Sequence, residues 1–224
     1  MAVKKLKEKS VLEQKLESRL SGGKFRIMNE KMYKGEKMSE NQMKNYHYLY
    51  GKQIEKWPVD PAVMVKKEIQ ELVNAKEGSK IADLGCGDSN KFNGIKNAEL
   101  NFYDKYPANK KVVQADLCKI PVEKDCFDIT VCCLSLMVSD ISKSVREINR
   151  ITKKDGFFIM AEVRSRIKSI RLFASKIEKY GFKVDNINSS NKYFTILRFI
   201  KERSIKNDEK LPNLKLEACK YKKQ

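Results

Sequence analysis

Apolar positions change their spacing partway along the chain. In the first third they are sparse and fall at helical intervals. Leu6, Leu12, Leu16 and Leu20 punctuate a charged stretch, which predicts a helix over residues 1–21 ended by Gly22-Gly23. "KFRIMNEKMYKG" follows, mixed basic and aromatic, and then "ENQMKNYHYLYGKQIEKWPVDP", whose Tyr46, Tyr48, Tyr50 and Trp57 need a surface to pack on. Pro58 and Pro61 break the pattern, and Pro61 suits the first turn of a helix predicted over Pro61–Ala75. From Lys80 the texture switches to short apolar runs between helical stretches. Strands are predicted at Lys80–Leu84, Glu99–Tyr103, Lys111–Gln114, Asp128–Leu134, Phe157–Val163, Phe182–Asn188 and Tyr193–Lys201, with helices at Ile141–Ile151 and Ile167–Tyr180. Strands alternating with helices argue an α/β, doubly wound and mostly parallel sheet of seven strands. The last two strands, joined by "NSSN", read as a hairpin, so the final strand should run antiparallel at or near the sheet edge. The expected division is a helical segment over residues 1–61 and a sheet domain over residues 62–224.

Composition narrows the class. The chain has 224 residues, 41% of them hydrophobic, enough for a real core. No apolar run approaches the roughly 18 residues of a membrane helix, and "MAVKKLKEKS" lacks the apolar centre of a secretory signal. An intracellular soluble protein is expected. The six cysteines form no C-x-x-C pair and only one histidine exists, which argues against a metal site. A disulfide framework would be out of place in such a chain. With 47 basic against 29 acidic residues, the net charge of +18 favours an anionic partner, nucleic acid first among them. The alternative is a lysine bias that only keeps the chain soluble.

Ligands of open parallel sheets sit outside the carboxyl ends of the strands. The first strand runs into "IADLGCGD", where Gly85-Cys86-Gly87 lets the backbone turn sharply and approach a ligand. A dinucleotide fingerprint would need a third glycine where Asn90 stands. Strand two ends at Asp104, placed to accept ribose hydroxyls. Strand three ends at Asp116, placed to accept from an adenine amino group. Either acid alone could be a loop cap. A glycine turn, a ribose acid and an adenine acid in that order describe an S-adenosylmethionine pocket. Strand four supplies "DITVCCLSLMVSD", with Cys133 and Leu134 where the chain would flank adenine and ribose. Cys132 and Cys133 could equally be ordinary strand residues, one of them facing the core.

The segments "GGKFRIMNEKMY", "HYLYGKQIEKWPVDP", "IADLGCGD", "CCLSLM", "AEVRSR" and "CKYKK" together resemble the ribosomal RNA-processing protein 8 family, called nucleomethylin in animals. The resemblance runs from Gly22 to Lys223. It implies a Rossmann-like class I methyltransferase fold and S-adenosylmethionine as cofactor. It also implies N1-methyladenosine in large-subunit ribosomal RNA as product, and a nuclear, nucleolar setting. It carries cofactor contacts onto His47, Gly85, Asp104, Asp116, Leu117 and Cys133. Without it, His47 would read as a structural histidine in an aromatic helix; with it, the N-terminal helices fold over the cofactor. Members commonly carry a long basic extension before the domain, whereas this chain opens close to it. In the strand-four loop, Val138 and Asp140 stand where the family tends to have a glycine and an amide.

The N1 lone pair of neutral adenine can attack a sulfonium methyl with no proton removed first, so alignment is the main task. N1 lies on the Watson–Crick edge, so the base must be unpaired or extruded. Asp140 and Glu162, at the ends of strands four and five, are the candidates to face the target base; otherwise they are caps or ion-pair partners. Lys24, Arg26, Lys31, Arg164 and Arg166 are the candidates for phosphate contacts; otherwise they form a solvated surface. The expected partner is ribosomal RNA or a pre-ribosomal particle, with no membrane and no metal, and a monomer suffices. Two other functions compete: a cofactor-binding scaffold in nucleolar chromatin or ribosome assembly, and a protein methyltransferase.

Overall fold

The structure, a computed structural model, describes residues 10–219. Residues 1–9 of the expected first helix, and "CKYKK" beyond Cys219, lie outside that range.

Helix α1 spans Val11–Tyr33, so it does not end at Gly22-Gly23 as its composition suggested. The two glycines weaken the helix without breaking it, because residues beyond them are anchored. Phe25, Met28 and Tyr33 are buried, and Phe25 stacks on Tyr46 with ring centroids 5.5 Å apart. Packing of this kind outweighs propensity. Helix α2 spans Glu40–Ile54 and opens with a capping box. Ser39 Oγ accepts from the Gln42 amide at 3.3 Å, and Gln42 Oε1 accepts from the Ser39 amide at 2.8 Å. Met43, Tyr46 and Leu49 of α2 join Phe25, Met28 and Met38 in a small core of their own. Helix α3, Pro61–Ala75, matches the expectation, with Asp60 accepting from the Ala62 amide at 2.9 Å and Pro61 in the first turn.

The sheet follows: β1 Ser79–Leu84, β2 Ala98–Asp104, β3 Val112–Gln114, β4 Phe127–Cys133, α4 Ser142–Ile151, β5 Thr152–Val163, α5 Ile170–Glu178, β6 Phe182–Asn188 and β7 Phe194–Lys201. The strand order is β3-β2-β1-β4-β5-β7-β6. β7 runs antiparallel between β5 and β6, so β6 forms the edge and β7 lies one place in. β5 starts five residues earlier than predicted, because Thr152 pairs with Phe127 before the register shifts. A single 3-10 turn at Arg164–Arg166 precedes α5, and Ser169 caps that helix, which therefore starts later than predicted.

One face of the sheet (Ala82, Leu84, Cys132, Phe158, Met160) packs against Val145 and Ile148 of α4 and Ile177 of α5. The other face (Ile81, Ile129, Val131, Ile159) packs under Val65, Ile69 and Val73 of α3. From β1 the order runs outward one way through β2 and β3, and the other way through β4 and β5. The crevice at the β1–β4 switch point is where such sheets bind ligands. The segments joining β1 to β2 and β2 to β3 carry no helix. After β7 the chain returns to the β4 side, where the Leu216 amide donates to the Ser139 carbonyl at 2.8 Å. It then meets α1, where the Tyr33 hydroxyl donates to Cys219 Sγ at 3.0 Å. Among the described residues no helix is long and apolar enough to cross a membrane.

Candidate functional site

β1 ends in a turn that only glycine adopts without strain. Gly85 has φ 72° and Gly87 φ 66°. A Cβ on Gly85 would lie 2.4 Å from the Ser135 Cβ, so the loop after β4 packs directly on this glycine. A Cβ on Gly87 would lie 3.4 Å from His47 Nδ1. The histidine of α2 therefore sits over the glycine turn, and the N-terminal helices do reach the strand ends.

Asp104, at the end of β2, is buried. One carboxylate oxygen accepts from the Gly87 amide at 2.9 Å and the other from the Tyr106 amide at 2.8 Å. These bonds fix the carboxylate plane and leave each oxygen further lone pairs for a ligand. His47 is half-buried, and its Nε2 has no hydrogen-bond partner among the described residues. Burial lowers its pKa, with Asp104 pulling the other way, so the ring is neutral at neutral pH.

Two charged residues that the sequence pattern did not single out stand beside this turn. Asp83, in the middle of "IADL", is fully buried with both carboxylate oxygens unpartnered among the described residues. Burial pushes its carboxyl up to about 6, against the pull of Lys91. The Lys91 ammonium donates to the Cys133 carbonyl at 3.4 Å and lies 5.6 Å from the centre of the Tyr50 ring. The available signal was an acid inside an otherwise apolar, fully buried strand, which is costly unless it serves a ligand.

The remaining expected cofactor contacts fall less evenly. Asp116 follows β3, one strand beyond Asp104, and the Ala115 amide donates to the Asp104 carbonyl at 3.0 Å. One Asp116 oxygen caps its own loop, accepting from the Cys118 amide at 2.9 Å, and the other pairs with Lys105 at 3.2 Å. The Cys118 amide bond is the main reason its carboxyl titrates below the usual range. Leu117 is half-buried against the α4–α5 side of the core. The Cys133 side chain lies in the core under α3, and burial pushes its thiol up to about 12, so it is no nucleophile. Its carbonyl, at the end of β4, accepts from the Lys91 ammonium.

Along the rim, one expectation is overturned. Arg166 does not face phosphates. Its guanidinium is buried, pairs with Glu162 at 2.7 Å, and donates to the carbonyls of Leu136, Val138 and Glu217 at 2.9, 3.3 and 2.9 Å. It also lies over the Tyr33 ring at 4.5 Å. Glu162 is correspondingly an ion-pair partner, its other oxygen accepting from the Val163 amide at 2.7 Å. Burial raises its pKa and Arg166 opposes the rise. Asp140 is exposed and accepts from the Ser142 amide at 2.9 Å, as a cap ahead of α4. Arg164 is exposed and donates to the Ser189 carbonyl at 3.1 Å. On α1, Lys24 and Arg26 are exposed and Lys31 half-buried; Lys24 and Lys31, seven apart, share a helix face. Near the start of β7, Trp57 packs on Phe194 with centroids 5.1 Å apart, and Tyr193 is exposed. Among the described residues no group of three or more His, Cys, Asp or Glu side chains is placed to hold a metal ion.

The glycine cradle, the oriented Asp104, the unpartnered Asp83 carboxylate and the unpartnered His47 Nε2 fit S-adenosylmethionine. Comparison with known proteins agrees with that fit. A family described as hypothetical methyltransferase matches residues 11–224. The 25S rRNA (adenine(645)-N(1))-methyltransferase of Schizosaccharomyces pombe is 33% identical over 95% of this chain and 72% of its own length. Ribosomal RNA-processing protein 8 of Mus musculus is 31% identical over 95% of this chain and 48% of its own. The Dictyostelium discoideum protein of the same name is 30% identical over 95% of this chain and 60% of its own. The chain thus spans about half to three-fifths of the length of the latter two relatives. Among solved structures, an Aquifex aeolicus SAM-dependent methyltransferase superposes with a TM-score of 0.54 at 13% identity, covering 74% of this chain and all of that one. The Burkholderia thailandensis 1,6-didemethyltoxoflavin-N1-methyltransferase, solved with S-adenosylhomocysteine, gives 0.55 at 12% identity over 72% of this chain and 87% of that one. These likenesses establish the Rossmann-like methyltransferase fold.

Proposed function

The chain belongs to the ribosomal RNA-processing protein 8 family of methyltransferases, and from that membership we propose that it uses S-adenosylmethionine to form N1-methyladenosine in large-subunit ribosomal RNA during ribosome biogenesis. The observation that carries this reading is the 33% identity to the fission-yeast 25S rRNA adenine-N1 enzyme over 95% of the chain, which spans both the strand ends and the helices above them.

In this reading residues 1–61 form a helical segment that covers the cofactor and meets RNA, and residues 62–224 form the transferase domain. The bound cofactor supplies an electrophilic methyl on a sulfonium. The chain contributes binding and alignment. Gly85 and Gly87 bring backbone against the cofactor, Asp104 takes the ribose hydroxyls, and Asp116 and Leu117 receive the adenine. The Cys133 carbonyl and His47 line the reacting end. Trp57 and Tyr193 offer aromatic planes on which an extruded base can stack. Asp140 is the exposed carboxylate of the rim, whereas Glu162 acts by holding Arg166 and thereby the loop after β4. Lys24, Arg26, Lys31 and Arg164 take phosphates. The site of action is the nucleus, in the nucleolus, and one copy of the chain is sufficient.

The test is methyl transfer from labelled S-adenosylmethionine to unmodified large-subunit ribosomal RNA, read by nucleoside mass spectrometry. N1-methyladenosine made by the intact protein and lost with Asp104→Ala is the expected result. Cofactor binding with no transfer to naked RNA or to pre-ribosomal particles would overturn the assignment.

A further inference from the structure

The aromatic rings of the N-terminal helices do not stop at their own small core. From His47, over the glycine turn, they run in an unbroken line to the rim of the sheet. Ring centroids are 5.8 Å apart for His47 and Tyr46, 6.1 Å for Tyr46 and Tyr50, and 6.1 Å for Tyr50 and Trp57. Trp57 and Phe194 follow at 5.1 Å, and Phe194 and Tyr193 at 6.5 Å. Tyr46 and Phe194 are buried, and Tyr50 and Trp57 half-buried, so packing accounts for them. It does not account for Tyr193, which is 43% exposed. The next residue, Phe194, pairs with Val163 at the end of β5. Tyr193 therefore stands at the carboxyl rim, the side on which such sheets bind ligands.

The backbone of Tyr193 is held on both sides. Its amide donates to Asn191 Oδ1 at 2.7 Å, and its carbonyl accepts from the Arg164 amide at 2.8 Å. The Arg164 guanidinium donates to the Ser189 carbonyl at 3.1 Å, which ties the hairpin tip to the turn after β5. An exposed ring on a fixed backbone has little freedom left to lose when a ligand stacks on it. Cations stand beside it. The Lys192 ammonium lies 5.0 Å from the ring centre, and Arg164 is exposed. A flat face flanked by cations is complementary to a nucleotide, base on the ring and phosphates on the cations. The net charge of +18 favours that occupant over a protein. Resting on the RNA methyltransferase reading above, we propose that Tyr193 stacks on the base of an unpaired nucleotide beside the target adenosine, with Lys192 and Arg164 on its phosphates. Tyr46, Tyr50, Trp57 and Phe194 stand between Tyr193 and His47 at the reacting end, so the base that Tyr193 holds is not the one methylated. The substrate is then single-stranded beyond the extruded adenosine, on one side of it.

The test uses the full chain and a fragment of unmodified large-subunit ribosomal RNA that wild type methylates. Copies of the fragment are made abasic at the methylated adenosine or at single nucleotides on either side. Fluorescence anisotropy reads binding, and thermal melts read folding. Tyr193→Ala should weaken binding of the intact fragment about tenfold, as expected for one lost base–aromatic stack. It should keep the melting temperature and the S-adenosylhomocysteine binding of wild type; Tyr193→Leu replaces it if it melts lower. Tyr193→Trp should keep the RNA affinity. One neighbouring abasic copy should weaken wild type by a similar factor, yet bind Tyr193→Ala no worse than the intact fragment does, because the two changes remove the same contact. Lys192→Gln should flatten the slope of log K against log salt by about 0.7, and Tyr193→Ala should not. Additive losses at every neighbouring position would overturn the proposal, as would coupling confined to the target adenosine itself. So would unchanged affinity for naked RNA with weaker binding to pre-ribosomal particles, which would make Tyr193 a protein contact. If wild type methylates no RNA, the RNA methyltransferase reading falls and the proposal with it; if wild type methylates RNA and Tyr193→Ala binds it equally well, only the role of Tyr193 falls.

Discussion

Single residues at the strand ends do opposite things to stability. Asp83 is held up at about 6 by burial, above the roughly 3.9 of a free carboxyl. The folded state therefore binds that proton more tightly than the unfolded chain. Its contribution is most favourable below about pH 4 and is lost as pH rises through 6. Asp83→Asn should accordingly stabilise the cofactor-free protein at pH 8, by up to roughly 3 kcal/mol, and give no gain at pH 4. Urea unfolding at the two pH values checks this, and an equal gain at both would sink it. Gly85 obeys a different constraint, steric rather than electrostatic. Gly85→Ala meets the left-handed backbone penalty of about 1–2 kcal/mol and a collision with Ser135. It should lower the melting temperature and abolish S-adenosylhomocysteine binding. Adding Ser135→Gly should recover part of the melting temperature, since it relieves the collision and leaves the backbone penalty. A melting temperature unmoved by the second change would mean the collision is absorbed elsewhere. The glycine turn was legible because Gly85 and Gly87, then Asp104, then Asp116 fall in order at the ends of successive strands, and a dinucleotide site shares only the first two of those steps. Asp83 was not, because a lone acid in an apolar run reads as a strand position until its burial is known.

Among the elements, α1 shows where local reading fails. Two glycines in a row predict an end, and for an isolated helix they would make one. Here the anchor lies beyond them, in Phe25 stacked on Tyr46 and Tyr33 packed on Arg166. Those pairings span more than 20 and 130 residues of chain respectively, and no window of the sequence contains both partners. α3 is the contrast. Asp60 and Pro61 mark its start and both partners of its cap are two residues apart, so the helix could be placed to the residue. The capping box of α2 was equally local, Ser39 with Gln42, but the aromatic cluster behind it is the louder signal. α1 carries a prediction. A Cβ at Gly22 or Gly23 would meet nothing within 4 Å. Gly22→Ala and Gly23→Ala should each stabilise by about 0.5–1 kcal/mol, seen as a higher melting temperature of the full chain. A fall in melting temperature would show that the diglycine is needed as a point of bending rather than tolerated.

For the whole molecule the question is where a surplus of 18 positive charges acts. The end of α1 and the turn after β5 are joined, because Tyr33 lies against Arg166 and Arg164 is two residues away. Lys24 and Lys31 lie on the helix that ends there, and Arg164 lies on the turn it meets. Arg166 is part of the same motif "AEVRSR" but not of the exposed surface, since the fold consumes its donors. Sequence could not separate the two arginines: both follow β5, and only burial distinguishes them. Function can separate them. If the rim holds RNA, Lys24→Gln, Lys31→Gln and Arg164→Gln should each weaken binding alike for all sequences. Each should also flatten the slope of log K against log salt by about 0.7 for a single-stranded target, as expected when one phosphate is no longer neutralised by the protein. Arg166→Gln should leave Glu162 buried without its counter-ion and cost stability instead, on the order of 3–5 kcal/mol. Among molecules that remain folded its salt slope should be that of wild type. Fluorescence anisotropy over a salt series from roughly 50 to 200 mM, run beside thermal melts, reads both quantities. Unchanged slopes for all three rim variants would return the positive charge to a role in solubility. A flattened slope for Arg166→Gln would mean that its buried hydrogen bonds open when RNA binds.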